Sequence, residues 1–235
     1  METYNTLKER FTEHSDDARA LQMAAYMRHR FAFYGLPASL RRAQYNDILQ
    51  ARKKQNRVDW ELLDRCWADP HREMQYFVFD CLAAMQKHLS FDDISRIRPY
   101  LSTKQWWDTI DALSKVVGRI SDDRVGHLML EWSKDPDFWL RRVAILHQLD
   151  KKDHMDRELL ERILLNNLGS DEFFINKAIG WILREYSKTS PSWVRRFVEI
   201  NQDRLSKLSI REGSKYIEAS FGQSIESGII QKFAE

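Results

Sequence analysis

The feature that most constrains this chain is a pair of adjacent aromatic residues that recurs about every 33 residues. The pairs are Tyr76-Phe77, Trp106-Trp107, Phe138-Trp139 and Phe173-Phe174. Each pair opens an apolar run, and a short segment rich in Asp, Pro, Ser or Thr precedes it, which favours the start of a helix. Second helical segments lie between these runs. A helix–turn–helix unit at this period predicts an α-solenoid, in which stacked helix pairs bury one continuous core and leave a concave surface.

The composition agrees with an all-helical chain. Only 8 of the 235 residues are Gly and 5 are Pro, and helix-forming residues are abundant. No strand-like alternation or hairpin signal competes with the helical pattern. We therefore predict an all-α fold consisting of one repeat domain over residues 1–235, in which about residues 220–235 form a loosely ordered cap or tail.

Several classes of protein are disfavoured by the sequence. It has no apolar run of the roughly 20 residues that span a bilayer, and its charged N-terminus lacks a secretory apolar segment. Cys66 and Cys81 are expected to be buried thiols in a reduced, cytoplasmic protein. The seven histidines show no spacing typical of metal ligands, so we expect neither a metal site nor a cofactor. His147 is expected at the edge of the core.

The net charge of +2 does not by itself announce a nucleic-acid partner. Positive residues do cluster along the chain, and a near-neutral sum can hide one positive face. Solvated helix surfaces explain any single cluster equally well. The clusters are Arg28 and Arg30, Arg41-Arg42, Arg52-Lys53-Lys54, Arg141-Arg142, Lys151-Lys152 and Arg195-Arg196.

The segment KQWWDTIDAL, residues 104–113, divides its two tryptophans between two helix faces. Residues spaced at i, i+4, i+7 and i+11 form an apolar stripe that should enter the core. This stripe consists of Trp106, Ile110, Leu113 and Val117. Trp107 and Asp111, at i and i+4, share a more polar stripe. Asp108 lies in the first turn, where a carboxylate stabilises the helix dipole or caps the helix.

The helix alone does not decide what Trp107 and Asp111 do. A partly buried packing residue and an ion-paired or solvated carboxylate are the simpler interpretations. Two other repeat helices add candidates, because one carries Arg141 and Arg142 and another carries Trp181 directly after Gly180. A glycine inside a helix is unfavourable by roughly 1 kcal/mol relative to alanine. Gly180 therefore indicates a close approach, either by a ligand or by another helix.

Several of these segments together resemble the AlkD-like DNA alkylation repair glycosylases. The similarity runs in register over roughly residues 5–218. It is carried by YMRHRFAFYGL (26–36), WADPHREMQYFVFDCL (67–82), TKQWWDTIDAL (103–113), DFWLRRVAILHQLDKK (137–152) and FFINKAIGWILREYSKTSPSW (173–193). The resemblance implies HEAT-like helical repeats in a C-shaped arrangement, with a basic concave surface that holds duplex DNA. It also implies a monomer that excises positively charged alkylated purines, N3-alkyladenine and N7-alkylguanine.

The resemblance also assigns roles to residues of this chain. Asp111 matches the essential carboxylate of the family, and Trp107 and Trp181 match its cleft tryptophans. The DNA-binding residues that it implies are Arg142, Tyr26 and Lys151 or Lys152. Arg41 and Arg42, from one of the basic clusters, are further candidates for contacts along the DNA backbone. One departure is Pro37, which occupies a position where the family carries a polar residue that contacts DNA. It puts in doubt one contact to the strand opposite the lesion.

The chemistry of the lesion suits these residue types. Alkylation makes the purine cationic and already a good leaving group, so a carboxylate can act by stabilising an oxocarbenium-like sugar or by orienting water. Indole faces can flank the cationic nucleotide, and basic side chains can grip phosphates. No motif for a deep base-reading pocket is apparent, and no lysine stands out as a nucleophile, so we expect a monofunctional glycosylase. The alternatives are a non-catalytic binder of bent or branched DNA and a protein-binding scaffold.

Overall fold

The computed structural model describes residues 2–217, and this part of the chain is all-helical, with 14 α-helices and no named strand. The predicted cap or tail at about residues 220–235 lies outside the described residues. Within residues 2–217, no helix is both long enough and apolar enough to cross a membrane.

The chain divides into two compact units, one ending at Val116 and the other beginning at Val117, so the division falls inside the eighth helix. The first eight helices are α1 (Glu2–Glu13), α2 (Asp17–Tyr26), α3 (Ala38–Ala43), α4 (Asn46–Gln55), α5 (Trp60–Ala68), α6 (Arg72–Ala84), α7 (Ile94–Ser102) and α8 (Trp107–Gly118). The helices that follow are α9 (Arg124–Trp132), α10 (Phe138–Leu146), α11 (Arg157–Leu165), α12 (Phe173–Ser187), α13 (Pro191–Ile200) and α14 (Lys207–Gly213).

Most of the predicted helix starts are confirmed. The aromatic pairs at 106–107, 138–139 and 173–174 lie at the start of α8, α10 and α12. Acidic caps set two of these starts: Asp137 accepts a hydrogen bond from the backbone N–H of Trp139, and Glu172 accepts one from Phe174. Each satisfies a donor that has no partner inside its helix.

The prediction for the first aromatic pair was wrong in detail. Tyr76 and Phe77 lie one turn inside α6, which already begins at Arg72. The helix starts directly after the Asp69-Pro70-His71 segment, and the buried Arg72 and Glu73 form its first turn. From the sequence, Arg72 and Glu73 belonged to the polar segment before the helix, although both side chains are buried in the fold.

In the first unit, Glu73 fixes the segment that links α2 to α3. Its carboxylate is fully buried and accepts hydrogen bonds from the backbone N–H groups of Tyr34, Gly35 and Leu36 at 2.9–3.2 Å. Gly35 has a φ of +89°, and a Cβ atom there would lie 2.2 Å from the carbonyl oxygen of Asp16. The start of α2 is thereby held against this segment, because only glycine permits both the conformation and the close approach.

In the second unit, helices from successive repeats pack against one another through their aromatic pairs. The ring of Phe174 lies 4.8 Å from that of Trp139 and stacks on that of Phe138 at 6.4 Å, measured between centroids. Helix α12 also packs against α13 and α14, and α9 packs against α10 and α11. These contacts between repeats are those of an α-solenoid, as predicted. A single domain over the whole chain stays a prediction.

The predicted buried residues are also confirmed. Cys66 and Cys81 are free thiols inside the first unit. His147 follows α10 and is buried, with its Nδ1 atom 2.6 Å from the carbonyl oxygen of Ala144. Burial lowers the pKa of His147 to about 4. The backbone of Gly118 passes so close to His147 that a Cβ atom at Gly118 would lie 1.7 Å from its carbonyl oxygen.

Candidate functional site

Helix α8 separates its two stripes as the spacing predicts. Trp106, which directly precedes α8, is 5% exposed. The other members of its stripe, Ile110, Leu113 and Val117, are fully buried. Trp107 and Asp111, one turn apart on the neighbouring stripe, are only half-buried. Both side chains can therefore reach a molecule outside the helix while the other stripe holds the helix in place.

Asp108 is confirmed as a structural residue of the first turn. The guanidinium of Arg72 donates two hydrogen bonds to its carboxylate, from Nε at 3.0 Å and from Nη2 at 2.6 Å. The hydroxyl of Tyr76 donates a third at 2.8 Å. Arg72 is fully buried and Asp108 is nearly so. A bidentate ion pair of this kind fixes the start of α8 relative to α6.

Tyr26 and Trp107 are brought together in the first unit. Tyr26, the last residue of α2, is 72% exposed. Its ring lies 6.2 Å from that of Trp107 in an edge-to-face arrangement with an interplanar angle of 83°. Tyr26 also borders an apolar cavity of about 220 Å³, which Met27 and Phe33 help to line. An exposed tyrosine and an indole thus stand together on the same side of α8 as Asp111.

Arg142 and Trp181 belong to the second unit. Arg142 on α10 is only 3% exposed, and its Nη1 donates a hydrogen bond to the backbone oxygen of Phe174 at 2.5 Å. Trp181 lies seven residues after Phe174, which places both on one face of α12 about 10 Å apart along the axis. Trp181 is half-buried. Arg142 is therefore anchored two turns from Trp181, and its burial makes it a less accessible phosphate ligand than the sequence implied.

Gly180 is explained by helix packing. A Cβ atom at this position would lie 2.7 Å from Cβ of Glu212 and 3.2 Å from Cα of Ser209, both on α14. The glycine therefore permits α12 and α14 to approach closely. Of the two interpretations that the sequence left open, this contact supports the second helix and not a ligand.

The predicted basic residues differ in their accessibility. Arg41 is 5% exposed; its guanidinium bonds to the hydroxyl of Tyr45 at 3.1 Å and to Asp80 at 3.4 Å. Arg42 is exposed, although it also contacts Asp80. The structure thus commits Arg41 to the interior of the first unit, and of this pair only Arg42 offers its side chain to a ligand.

Lys151 and Lys152 lie in the loop between α10 and α11. Gln148 fixes this loop by exchanging two hydrogen bonds with the backbone of Asp156, at 2.8 and 3.1 Å. Lys152 is exposed and has a φ of +47°. Lys151 is half-buried and borders a polar groove of about 520 Å³. Pro37 is the residue before α3, where its φ of −63° suits the start of a helix.

The sequence reasoning missed one group and left another without a role. Arg72 was missed because its partner Asp108 is 36 residues away, and no local pattern links them. Arg28 and Arg30 were noted as a positive cluster but received no role. Within residues 2–217, no group of three or more His, Cys, Asp and Glu side chains is placed to hold a metal ion.

The fold and these residues define a class: a helical-repeat protein in which a half-buried tryptophan and carboxylate on one helix lie beside an exposed tyrosine from another. Comparison with known families gives the assignment. The family described as DNA alkylation repair enzyme matches residues 7–217, and the chain belongs to this family. Its process is therefore the repair of alkylated DNA.

A solved structure supports the same assignment. It is described as a predicted DNA alkylation repair enzyme from Enterococcus faecalis, and it is 32% identical to this chain. The similarity covers 86% of this chain and 96% of that chain, with a TM-score of 0.78. No curated protein matches the chain.

Proposed function

We propose that this protein is a monofunctional DNA glycosylase that removes cationic alkylated purines, N3-alkyladenine and N7-alkylguanine, from duplex DNA. The observation that carries the proposal is the edge-to-face pair of the exposed Tyr26 and the half-buried Trp107, beside Asp111 on α8. An aromatic surface next to a carboxylate suits a cationic nucleotide, because the indole face and the carboxylate both stabilise positive charge. The protein would act as a monomer in the cytoplasm, on chromosomal DNA.

The reaction needs little from the protein besides charge stabilisation. When the bond between C1′ and the base nitrogen breaks, its electron pair neutralises the cationic purine, and positive charge develops on the sugar. The ionised carboxylate of Asp111 stabilises that charge and accepts a proton from the attacking water. The products are a free alkylpurine and an abasic site. Because the leaving group is already cationic, no general acid is required.

Selectivity would then rest on the lability of the lesion instead of on a pocket that encloses the base. The residues carrying the proposal are an exposed tyrosine, a half-buried tryptophan and a half-buried carboxylate, and of these only Tyr26 borders the 220 Å³ cavity. An enzyme of this kind should tolerate bulky substituents on the purine, unlike glycosylases that flip a base into a fitted pocket. Within the first unit, Arg42 would be a further DNA contact. Within the second unit, the contacts would be Trp181, Lys151 and Lys152 and, to a lesser extent because of its burial, Arg142.

The test is base release from duplex DNA that carries N7-methylguanine. We expect Asp111→Asn to lower the rate above spontaneous loss by about 10²–10⁴-fold, the range for loss of a charge-stabilising or proton-accepting group. Asp123→Asn is the matched control, because Asp123 is an exposed carboxylate at the start of α9 that makes no side-chain capping bond. It should retain the wild-type rate.

Each negative outcome has a defined meaning. Wild-type protein that binds the DNA but releases no base would refute the glycosylase and favour the non-catalytic binder. Equal release by wild type and Asp111→Asn would refute the role of the carboxylate. Failure to bind DNA at all would favour a protein-binding scaffold.

A further inference from the structure

The turn that follows α2 combines positive charge with an unfavourable backbone. Arg28 and His29 have φ values of 56° and 55°, in the left-handed region. Their N–H groups donate to the carbonyl oxygens of Ala25 at 2.9 Å and Ala24 at 2.7 Å. These bonds form a helix-ending motif in which glycine is usual at the position of Arg28. The chain thus carries an arginine where a glycine would be the less strained residue.

The side chains of Arg28 and Arg30 lie over the indole ring of Trp106. The guanidinium carbon of Arg30 is 4.4 Å from the centre of the Trp106 ring, and that of Arg28 is 5.9 Å away. Trp106 is almost completely buried, so its ring is held by the core. Stacking on an indole face uses the plane of a guanidinium and leaves its N–H donors at the edge free for other partners.

These two cations lack the partners that other arginines of the unit have. Among residues 2–217, neither Arg28 nor Arg30 forms an ion pair, and both residues are exposed. They also lie beside the candidate site, because Tyr26 precedes Arg28 by two residues and Trp107 directly follows Trp106. Two guanidinium groups that lie over one indole ring without an ion pair, next to the exposed Tyr26, are typical of a surface that meets a phosphate backbone.

We infer that Arg28 and Arg30 bind successive phosphates of one strand of the duplex and position it against Tyr26 and Trp107. This inference rests on the proposed function and deepens it, since it identifies a strand-positioning contact that is separate from the bond-breaking residues. The left-handed turn directs both side chains to the indole of Trp106. The stacking limits their conformational freedom before DNA arrives, so less entropy is lost on binding.

The experiment measures binding of an undamaged duplex at several salt concentrations between 50 and 200 mM. Each phosphate contact contributes about 0.9 to the slope of log affinity against log salt. Arg28→Gly and Arg30→Gln should each reduce the slope by about 1 and weaken binding several-fold, irrespective of DNA sequence. Arg28→Lys should retain most of the slope because it retains the charge.

Arg28→Gly also separates binding from folding. Because glycine relieves the left-handed conformation, the variant should melt no lower than the wild type while it binds DNA more weakly. Asn56→Gly is the matched backbone control, since Asn56 ends α4 with a φ of 55° and carries no charge. Arg96→Gln is the charge control, since Arg96 on α7 is paired with Asp64. Neither control should change the salt slope.

The outcomes distinguish this inference from the proposed function. A wild-type salt slope in folded Arg28→Gly and Arg30→Gln proteins would overturn the inference, even if the wild type releases alkylated bases. Equal losses of slope in the Arg96→Gln control would overturn it as well. A slope that depends on both arginines, in a protein that releases no base, would support this inference and refute the glycosylase.

Discussion

Replacing Asp108 should lower the free energy of unfolding far more than replacing Asp111, three residues later. Asp108 receives three hydrogen bonds from buried or nearly buried donors, two from Arg72 and one from Tyr76. In Asp108→Ala the guanidinium stays buried without a counter-charge. Breaking such a pair from one side destabilises a protein by about 3–5 kcal/mol, because an uncompensated charge remains in the interior.

The remaining contacts of Arg72 do not offset this loss. Its Nη1 donates to the carbonyl oxygen of Lys104 at 2.8 Å, and its Nη2 donates to Thr109 at 2.9 Å. Both acceptors are neutral, so they satisfy donors but do not balance the charge. For a chain of this size, 1 kcal/mol shifts the melting temperature by about 2–4 °C. Asp108→Ala should therefore melt roughly 6–20 °C below the wild type.

The assay is thermal and urea unfolding followed by circular dichroism, with Asp111→Ala as the comparison. Asp111 is half-buried on the stripe that faces away from the core, so its replacement should change stability by no more than about 1 kcal/mol. The double variant Arg72→Met with Asp108→Leu should recover most of the lost stability, since neither charge is then buried. Equal melting of Asp108→Ala and wild type, or a larger loss in Asp111→Ala, would refute the division of roles.

Two further predictions concern the second unit. Burial holds the pKa of His147 at about 4, below the unfolded value of about 6.5. Between these values the unfolded chain binds a proton that the folded chain does not, so stability falls as the pH drops through this window. Urea unfolding at pH 7 and pH 4.5 should show that the free energy of unfolding is lower at pH 4.5, with a contribution from His147 on the order of 2 kcal/mol. The His147→Gln variant should lack most of this pH-dependent loss. An equal loss in the wild type and the variant would contradict the prediction. Gly180→Ala should destabilise by about 1–3 kcal/mol because its Cβ would meet α14. Gly126→Ala, whose Cβ would touch only the end of Leu159 at 3.3 Å, should be neutral or slightly stabilising by comparison.

Periodicity predicted the parts of the fold that repeat. The stripe of Trp106, Ile110 and Leu113 is buried as expected, and acidic caps start α10 and α12 where polar segments precede aromatic pairs. These features depend on spacings of three or four residues along one helix, which a sequence displays directly. The same reasoning placed Asp111 and Trp107 on one stripe.

Contacts between distant segments could not be predicted in the same way. Glu73 binds backbone groups 37–39 residues away, and Arg72 binds a carboxylate 36 residues away. The sequence pattern assigned both residues to the polar segment that precedes the aromatic pair and gave neither a role. Gly180 gave a correct indication of close approach, but only the position of α14 reveals what approaches. A buried charge is recognisable only from its partner, and the partner lies in another repeat.

The buried ion pair has a consequence for the candidate site. The proposed chemistry needs Asp111 at a fixed distance from a sugar, and a displacement of about 1 Å can cost 10²-fold in rate. The bidentate bonds from Arg72 to Asp108 fix the first turn of α8, one turn before Asp111. Two parallel hydrogen bonds specify an orientation as well as a distance, so the ion pair fixes the direction of α8 more closely than a flexible apolar contact would. For this reason the Arg72→Met with Asp108→Leu variant, even if fully stable, should release alkylated bases more slowly than the wild type. A wild-type rate in that variant would show that packing of the Trp106 stripe alone positions the helix.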